Sequence, residues 1–286
     1  MPSRSGVEKF AMKFAVAIRN MGPQSSRTTI RACARIAEQA GFDALFVSDH
    51  LCIPPDQTEG SGGRYLDVLA TLAFIAGATD KIRLGVSVLV VPYRPAVLTA
   101  KQVATIQELS GERLILGVGV GWMKPEFDAL GVDIHKRGAI TDETLAVIHH
   151  LFSADVPGAY NGPLVKFPSF VFLPRPKRPP IWVGGNSPAA MNRVLKFGDG
   201  WHPMLPAAEL KVKVEELVAR ARAAGRPAPE IVVRRGLRLD DLDAARAKVA
   251  AEQDAGATYF IYDLGRYPDE SSFAKSIETF IAKVAR

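Results

Sequence analysis

The chain repeats one phrase eight times: a short β-branched apolar run, a turn marked by glycine or proline, then an amphipathic helix that leads into the next run. Each strand in such an alternation needs parallel neighbours and each helix covers the outside, which specifies an α/β fold, the (β/α)8 TIM barrel. The expected strands are residues 14–18, 44–47, 82–90, 114–118, 181–183, 200–204, 231–233 and 259–262. Helical periods separate them, such as Ile30, Cys33, Ala34, Ala37 and Phe273, Ile277, Phe280, Ile281, Val284. Gly41, Gly111, Gly198, Gly225 and Gly256 follow five helices where a left-handed cap residue would stop them.

Eight such units of about 36 residues use the whole chain of 286, so one barrel domain is expected over residues 13–286. Residues 1–12 carry little pattern and are expected to be a loose extension; Met12 could itself be a translation start. Residues 153–180 hold seven prolines together with Tyr160, Phe167, Phe170 and Phe172, which excludes helix and points to a hairpin or extended insertion. Because this insertion joins a helix to a strand, it belongs to the N-terminal face, with Arg175, Lys177 and Arg178 far from any chemistry. Lids are expected instead in the strand-to-helix loops 51–65 and 122–138.

The net charge of +6 comes from 36 basic and 30 acidic residues without a block of like charge, so no nucleic-acid partner is expected. Cys33 and Cys52 have no metal or redox spacing, and no signal peptide or long apolar span is evident. A reduced, cytoplasmic protein without metal or membrane contact is the expectation.

A barrel carries its chemistry at the C-terminal ends of its strands. Strand two ends Val47-Ser48-Asp49-His50, bringing an acid and an imidazole to the mouth; His50 suits proton transfer near neutral pH, or a structural hydrogen bond. Strand three is longer than a barrel needs, which suggests a bulge near its top. Strand four ends Gly117-Val118-Gly119-Val120-Gly121-Trp122, where alternate glycines are expected to leave one backbone face bare for a flat ligand. A dinucleotide fingerprint does not fit this run, because its third glycine would fall on Trp122. Strand five ends Gly184-Gly185-Asn186-Ser187-Pro188, with Ser187 as N-cap and Pro188 as first helical residue, an arrangement suited to a phosphate or to a plain tight turn.

Four segments in order, Ser48-Asp49-His50, Leu84-Gly85-Val86-Ser87-Val88-Leu89, the run from Leu109 to Trp122, and Pro180-Ile181-Trp182-Val183-Gly184-Gly185, resemble the luciferase-like monooxygenase superfamily. The resemblance covers the chain from about Met12 onward and is nearest to the actinobacterial branch of coenzyme F420-dependent (deazaflavin) oxidoreductases, with a bacterial luciferase-like barrel.

The resemblance implies that Asp49 and His50 lie against the deazaflavin, with His50 as catalytic acid or base. Ser87 and Val88 match a non-proline cis peptide that bulges behind the ring. Gly119, Val120 and Gly121 match residues lining the cofactor, and Gly184, Gly185 and Asn186 its phosphate end. Luciferases proper have an arginine where this chain has Val120, which disfavours FMN; sugar-phosphate oxidisers have an acid where it has Trp122. Trp122 and Arg19 are expected in the substrate pocket, Trp122 favouring an apolar carbonyl, alkene or imine. Arg19, Arg64, Arg94, Lys124, Arg137 and Arg266 are the cations expected to meet a phosphate and polycarboxylate tail. The implied activity is hydride transfer between coenzyme F420 and a small organic substrate. A homodimer and a separate cofactor reductase are implied partners. The alternatives are a two-component monooxygenase using FMN and a non-catalytic flavin or deazaflavin carrier.

Overall fold

The apolar runs pair side by side into one closed parallel sheet in the computed structural model, which describes residues 12–58 and 60–285. The expected loose extension lies outside these residues, apart from Met12, which packs into the core. In chain order, β1 (Lys13–Ala17) leads to α1 (Arg27–Gln39), β2 (Ala44–Val47) to α2 (Val68–Ala76), and β3 (Arg83–Val86) with β4 (Leu89–Val90) to α3 (Ala96–Leu109). β5 (Leu114–Gly119) precedes two helices, α4 (Lys124–Ala129) and α5 (Arg137–Leu151), then the hairpin of β6 (Tyr160–Asn161) and β7 (Lys166–Phe167). There follow β8 (Ile181–Gly184), α6 (Pro188–Phe197), β9 (Gly200–His202), α7 (Ala207–Ala223), β10 (Glu230–Gly236), α8 (Leu242–Asp254), β11 (Tyr259–Asp263) and α9 (Glu270–Lys283).

β1 pairs with β2 and β11, β10 with β11 and β9, and β8 with β9 and β5. β2 pairs with β3, and the ring closes where β3 and β4 both pair with β5. The single run expected at residues 82–90 is thus two short strands. Gly85 pairs with Ile115, but Leu89 pairs with Val118, so strand three spends one residue more than its neighbour between these pairs. This is a bulge, and it changes the phase of the pleat. Leu84 and Val86 face the outer core before it, whereas Leu89 and Val91 do so after it.

The outer core joins strands to helices, and a second core fills the barrel: Ala15, Ala17, Ala44, Phe46, Ile115, Trp182, Val232, Tyr259 and Ile261. Phe46 stacks on Trp182 at 5.5 Å, and Tyr259 meets Trp182 edge-on at 4.8 Å. Gly85 makes this filling possible, since a Cβ there would stand 2.1 Å from Cε1 of Phe46.

The insertion runs as chain order requires. Its hairpin packs on α5, where Glu143 accepts from the backbone N–H groups of Leu164 and Val165. Its basic end pairs with helix-to-strand segments: Lys177 N–H donates to Glu112, and Arg178 to Asp199. Two expectations need correction. Gly198 is not left-handed (φ −91°, ψ 155°); a Cβ there would lie 3.0 Å from the Val194 Cα, so its smallness serves close packing rather than a positive φ. Residues 122–138 are not an open loop, because α4 and a 3-10 turn at Ile134–Lys136 occupy them. No helix of the described residues is long and apolar enough to cross a membrane.

Candidate active site

Where the filled core ends, the inward positions turn polar. Arg234, near the end of β10, donates from Nε to Asp263 at 2.9 Å and from Nη1 to Ser48 Oγ at 3.1 Å and the Ser87 carbonyl at 3.2 Å. Ser87 Oγ lies 2.8 Å from His202 Nε2, and His202 Nδ1 lies 3.0 Å from the Val232 carbonyl. A carbonyl only accepts, so His202 carries its proton on Nδ1, and the Ser87 hydroxyl donates to Nε2. Burial pushes His202 down to about 4, which keeps the ring neutral. Burial works to raise Asp263, but the charge of Arg234 and the Gly265 N–H outweigh it and hold the carboxyl below its ordinary value.

The opposite side of the mouth is apolar. The Ser87–Val88 peptide is cis, as the resemblance implied. Val88 turns its isopropyl group over the glycines: a Cβ on Gly119 would lie 2.6 Å from its Cγ2, and one on Gly184 3.2 Å from its Cγ1. On Gly117 a Cβ would lie 2.0 Å from the Val86 carbonyl oxygen. The bare glycine face expected for a flat ligand is therefore already used by strand three, and Val88, half-buried, is what the mouth presents there. Gly121 (φ 77°) likewise gives its space to Val90 and Phe127.

His50 stands at the rim with its side chain 20% exposed. Its Nδ1 lies 2.9 Å from Glu126 Oε2, and Glu126 has no exposed surface. Oε1 of the same carboxylate accepts from the N–H groups of Leu51 at 2.5 Å and Cys52 at 3.1 Å, and Oε2 accepts the Tyr93 hydroxyl at 2.7 Å. Burial alone would raise Glu126, but the hydrogen bonds from His50, Leu51 and Tyr93 outweigh it and keep the carboxyl below its ordinary value. Burial, then the neighbouring Glu126, push the Tyr93 hydroxyl up. Two rings meet His50 edge-on, Tyr65 at 5.1 Å and the largely exposed Trp122 at 6.2 Å.

Asp49 turns away from the mouth. Its carboxylate accepts both arms of Arg94 and the Val90 N–H, tying the end of strand two to that of strand three. Arg94, which also reaches Asp67, is thereby removed from the expected set of free cations: its side chain is only 9% exposed, consumed by a buried ion pair. Of the other five, Arg19, Arg64 and Arg266 lie on strand-to-helix loops, whereas Lys124 and Arg137 open α4 and α5. Arg19 and Arg64 hold Gln24 and Ser25, Lys124 pairs with Asp128, Arg137 caps the Ile134 carbonyl, and Arg266 lies flat against Gly60.

At the end of β8, Ser187 caps α6 by accepting from the Ala190 N–H, and Pro188 opens the helix as expected. Gly185 has φ 114°. Asn186 exchanges two hydrogen bonds with the Met204 backbone, joining this loop to the one after β9. Val120 is half-buried between Gly119 and Gly121.

Sequence reading missed Glu126, Tyr93, His202, Arg234 and Asp263. A signal for the first existed in Lys124-Pro125-Glu126-Phe127, where proline in a first turn followed by an acid marks a helix start.

A family model described as luciferase-like monooxygenase matches residues 9–283. The 5,10-methylenetetrahydromethanopterin reductase of Methanolobus tindarius is 31% identical over 225 residues, covering 77% of this chain and 64% of that protein. The FMNH(2)-dependent dimethylsulfone monooxygenase of Pseudomonas putida is 29% identical over 202 residues, covering 68% of this chain and 54% of that protein. The matched regions thus span less than two thirds of these relatives' own lengths. Among solved structures, an F420-dependent secondary alcohol dehydrogenase superposes with a TM-score of 0.80 at 16% identity, covering 97% of this chain and 100% of that one, and shares the fold.

Proposed function

Because this chain belongs to the luciferase-like monooxygenase family, we propose that it is an oxidoreductase passing a hydride between coenzyme F420 and a small, largely apolar organic substrate, with His50 exchanging the accompanying proton. The observation that carries this reading is the His50–Glu126 contact, which holds an imidazole at the rim of a barrel mouth between two aromatic edges.

The residues present fit such a coenzyme. Val88 and the glycine side supply an apolar wall for a flat ring, and Ser87, Arg234 and Asp263 supply polar partners opposite. Gly184, Gly185 and Asn186, ahead of the free N–H groups of α6, would receive a phosphate. Arg19, Arg64 and Arg266 would face an anionic tail. When bound, the deazaflavin would supply a ring carbon that takes or gives hydride and is a poor activator of oxygen. His50 holds the proton that balances the transfer, and the Tyr65 and Trp122 rings flank it edge-on.

A second reading is a two-component FMN monooxygenase, favoured by similarity to the dimethylsulfone enzyme. Equilibrium titration of the purified protein with each cofactor separates the two. Deazaflavin binding tighter than FMN, with His50→Ala binding normally but losing turnover on a panel of enones, is the expected result. Micromolar FMN binding with no detectable deazaflavin binding would transfer the assignment to the second reading.

A further inference from the structure

We propose that Glu126 is the positioning residue of this site: it fixes His50 as the tautomer protonated on Nδ1, so that Nε2 alone gives and takes the proton. The inference rests on the reading of His50 above for its catalytic meaning, but the tautomer itself follows from hydrogen-bond accounting.

An ionised carboxylate accepts and never donates, with about four lone-pair sites on its two oxygens. Glu126 receives four donors: Leu51 N–H and Cys52 N–H on Oε1, Tyr93 O–H and His50 Nδ1 on Oε2. The two backbone groups can only donate, and burial together with Glu126 keeps Tyr93 protonated, so it donates as well. Nδ1 therefore carries hydrogen in both charge states of the ring. The same carboxylate, without exposed surface, offsets the positive charge that His50 acquires on protonation.

The other polar groups around His50 do not compete for this role. Asp49 and Arg94 neutralise each other, Lys124 is held by Asp128, and Tyr65 and Trp122 present ring edges. Cys52 meets Glu126 through its backbone.

The chain has five histidines, so a long-range proton–nitrogen NMR spectrum of the full-length, nitrogen-15-labelled protein resolves them, with His50→Ala assigning the signal. The expected wild-type pattern for the neutral ring is protonated Nδ1 and bare Nε2. In Glu126→Gln the amide can donate as well as accept, so the form protonated on Nε2 is expected to appear in the neutral ring. With a turned-over substrate, kcat should fall about 10- to 100-fold with KM little changed, and Glu126→Asp should recover part of the loss. A wild-type neutral His50 protonated on Nε2, which needs no variant to observe, overturns the proposal, as does an unchanged tautomer in a folded Glu126→Gln protein. If the tautomer behaves as expected in both proteins while His50→Ala keeps full turnover, the positioning stands and only the catalytic reading of His50 falls.

Discussion

Arg94 grips Asp49 with both arms of its guanidinium, Nη1 to Oδ2 at 2.7 Å and Nη2 to Oδ1 at 2.9 Å, where the carboxylate has no exposed surface. The pair fastens the residue before His50 to the turn that follows β4. It thus holds the rim from behind, while Glu126 holds it from the side.

Removing one partner should leave an uncompensated charge in the protein interior. Arg94→Ala is expected to cost about 3 to 5 kcal/mol of unfolding free energy, read from urea denaturation. Replacing both residues by neutral polar ones, Arg94→Gln with Asp49→Asn, should recover much of that loss. A single variant within about 1 kcal/mol of wild type would show that the carboxylate finds water instead.

Gly85 and Phe46 form a second coupled pair. Gly85→Ala would drive a methyl group into the Phe46 ring and is expected to destabilise by about 1 to 3 kcal/mol. Phe46→Leu costs stability by itself, yet the double variant should be less destabilised than the two losses added, a positive coupling that a double-mutant cycle measures. Simple additivity would mean that the ring is not what limits position 85.

His202 gives the stability a defined pH dependence. Burial places its folded pKa at about 4, below the ordinary 6.5, so above pH 6.5 both folded and unfolded chains hold a neutral ring and its contribution is complete. Between these values only the unfolded chain takes the proton, and about 3 kcal/mol should drain away as pH falls. Glu126 and Asp263, both held below the ordinary carboxylate range, add their own losses at still lower pH. In His202→Asn, urea unfolding free energies at pH 7 and pH 5 should lie closer together than in wild type; an unchanged difference would place the dependence elsewhere.

Charge at the mouth should show itself as sensitivity to salt. If Arg19 and Arg64 meet an anionic tail, deazaflavin affinity should decline as ionic strength rises and the Debye length shrinks from about 10 Å. Arg64→Ala should flatten that decline, whereas binding of a tail-free deazaflavin fragment should be nearly indifferent to salt. Equal salt slopes for both ligands would remove these arginines from the site.

The barrel was legible because burial repeats: each strand is an apolar run and each helix an apolar stripe, so local patterns carried the global fold. The Ser187 cap and the break in strand three were legible for the same reason, as departures from local pattern. Glu126 was not, because its partners stand far away in sequence and its six-residue helix looked like loop. Arg94 misled for a related reason: a cation in a loop reads as solvated until the fold brings Asp49 to it. His202 sits at the end of a strand of three residues, too short to display alternation.

The extra residue in strand three has a consequence for what the mouth presents to a ligand. A strand in strict alternation contributes one inward side chain per layer, whereas here Ser87 and Val88 come to the mouth in succession, one on its polar side and one on its glycine side. The slack is absorbed before Leu89 resumes pairing with Val118. Two adjacent side chains of one strand thus set both the polar and the apolar contact that a ligand in the mouth would meet.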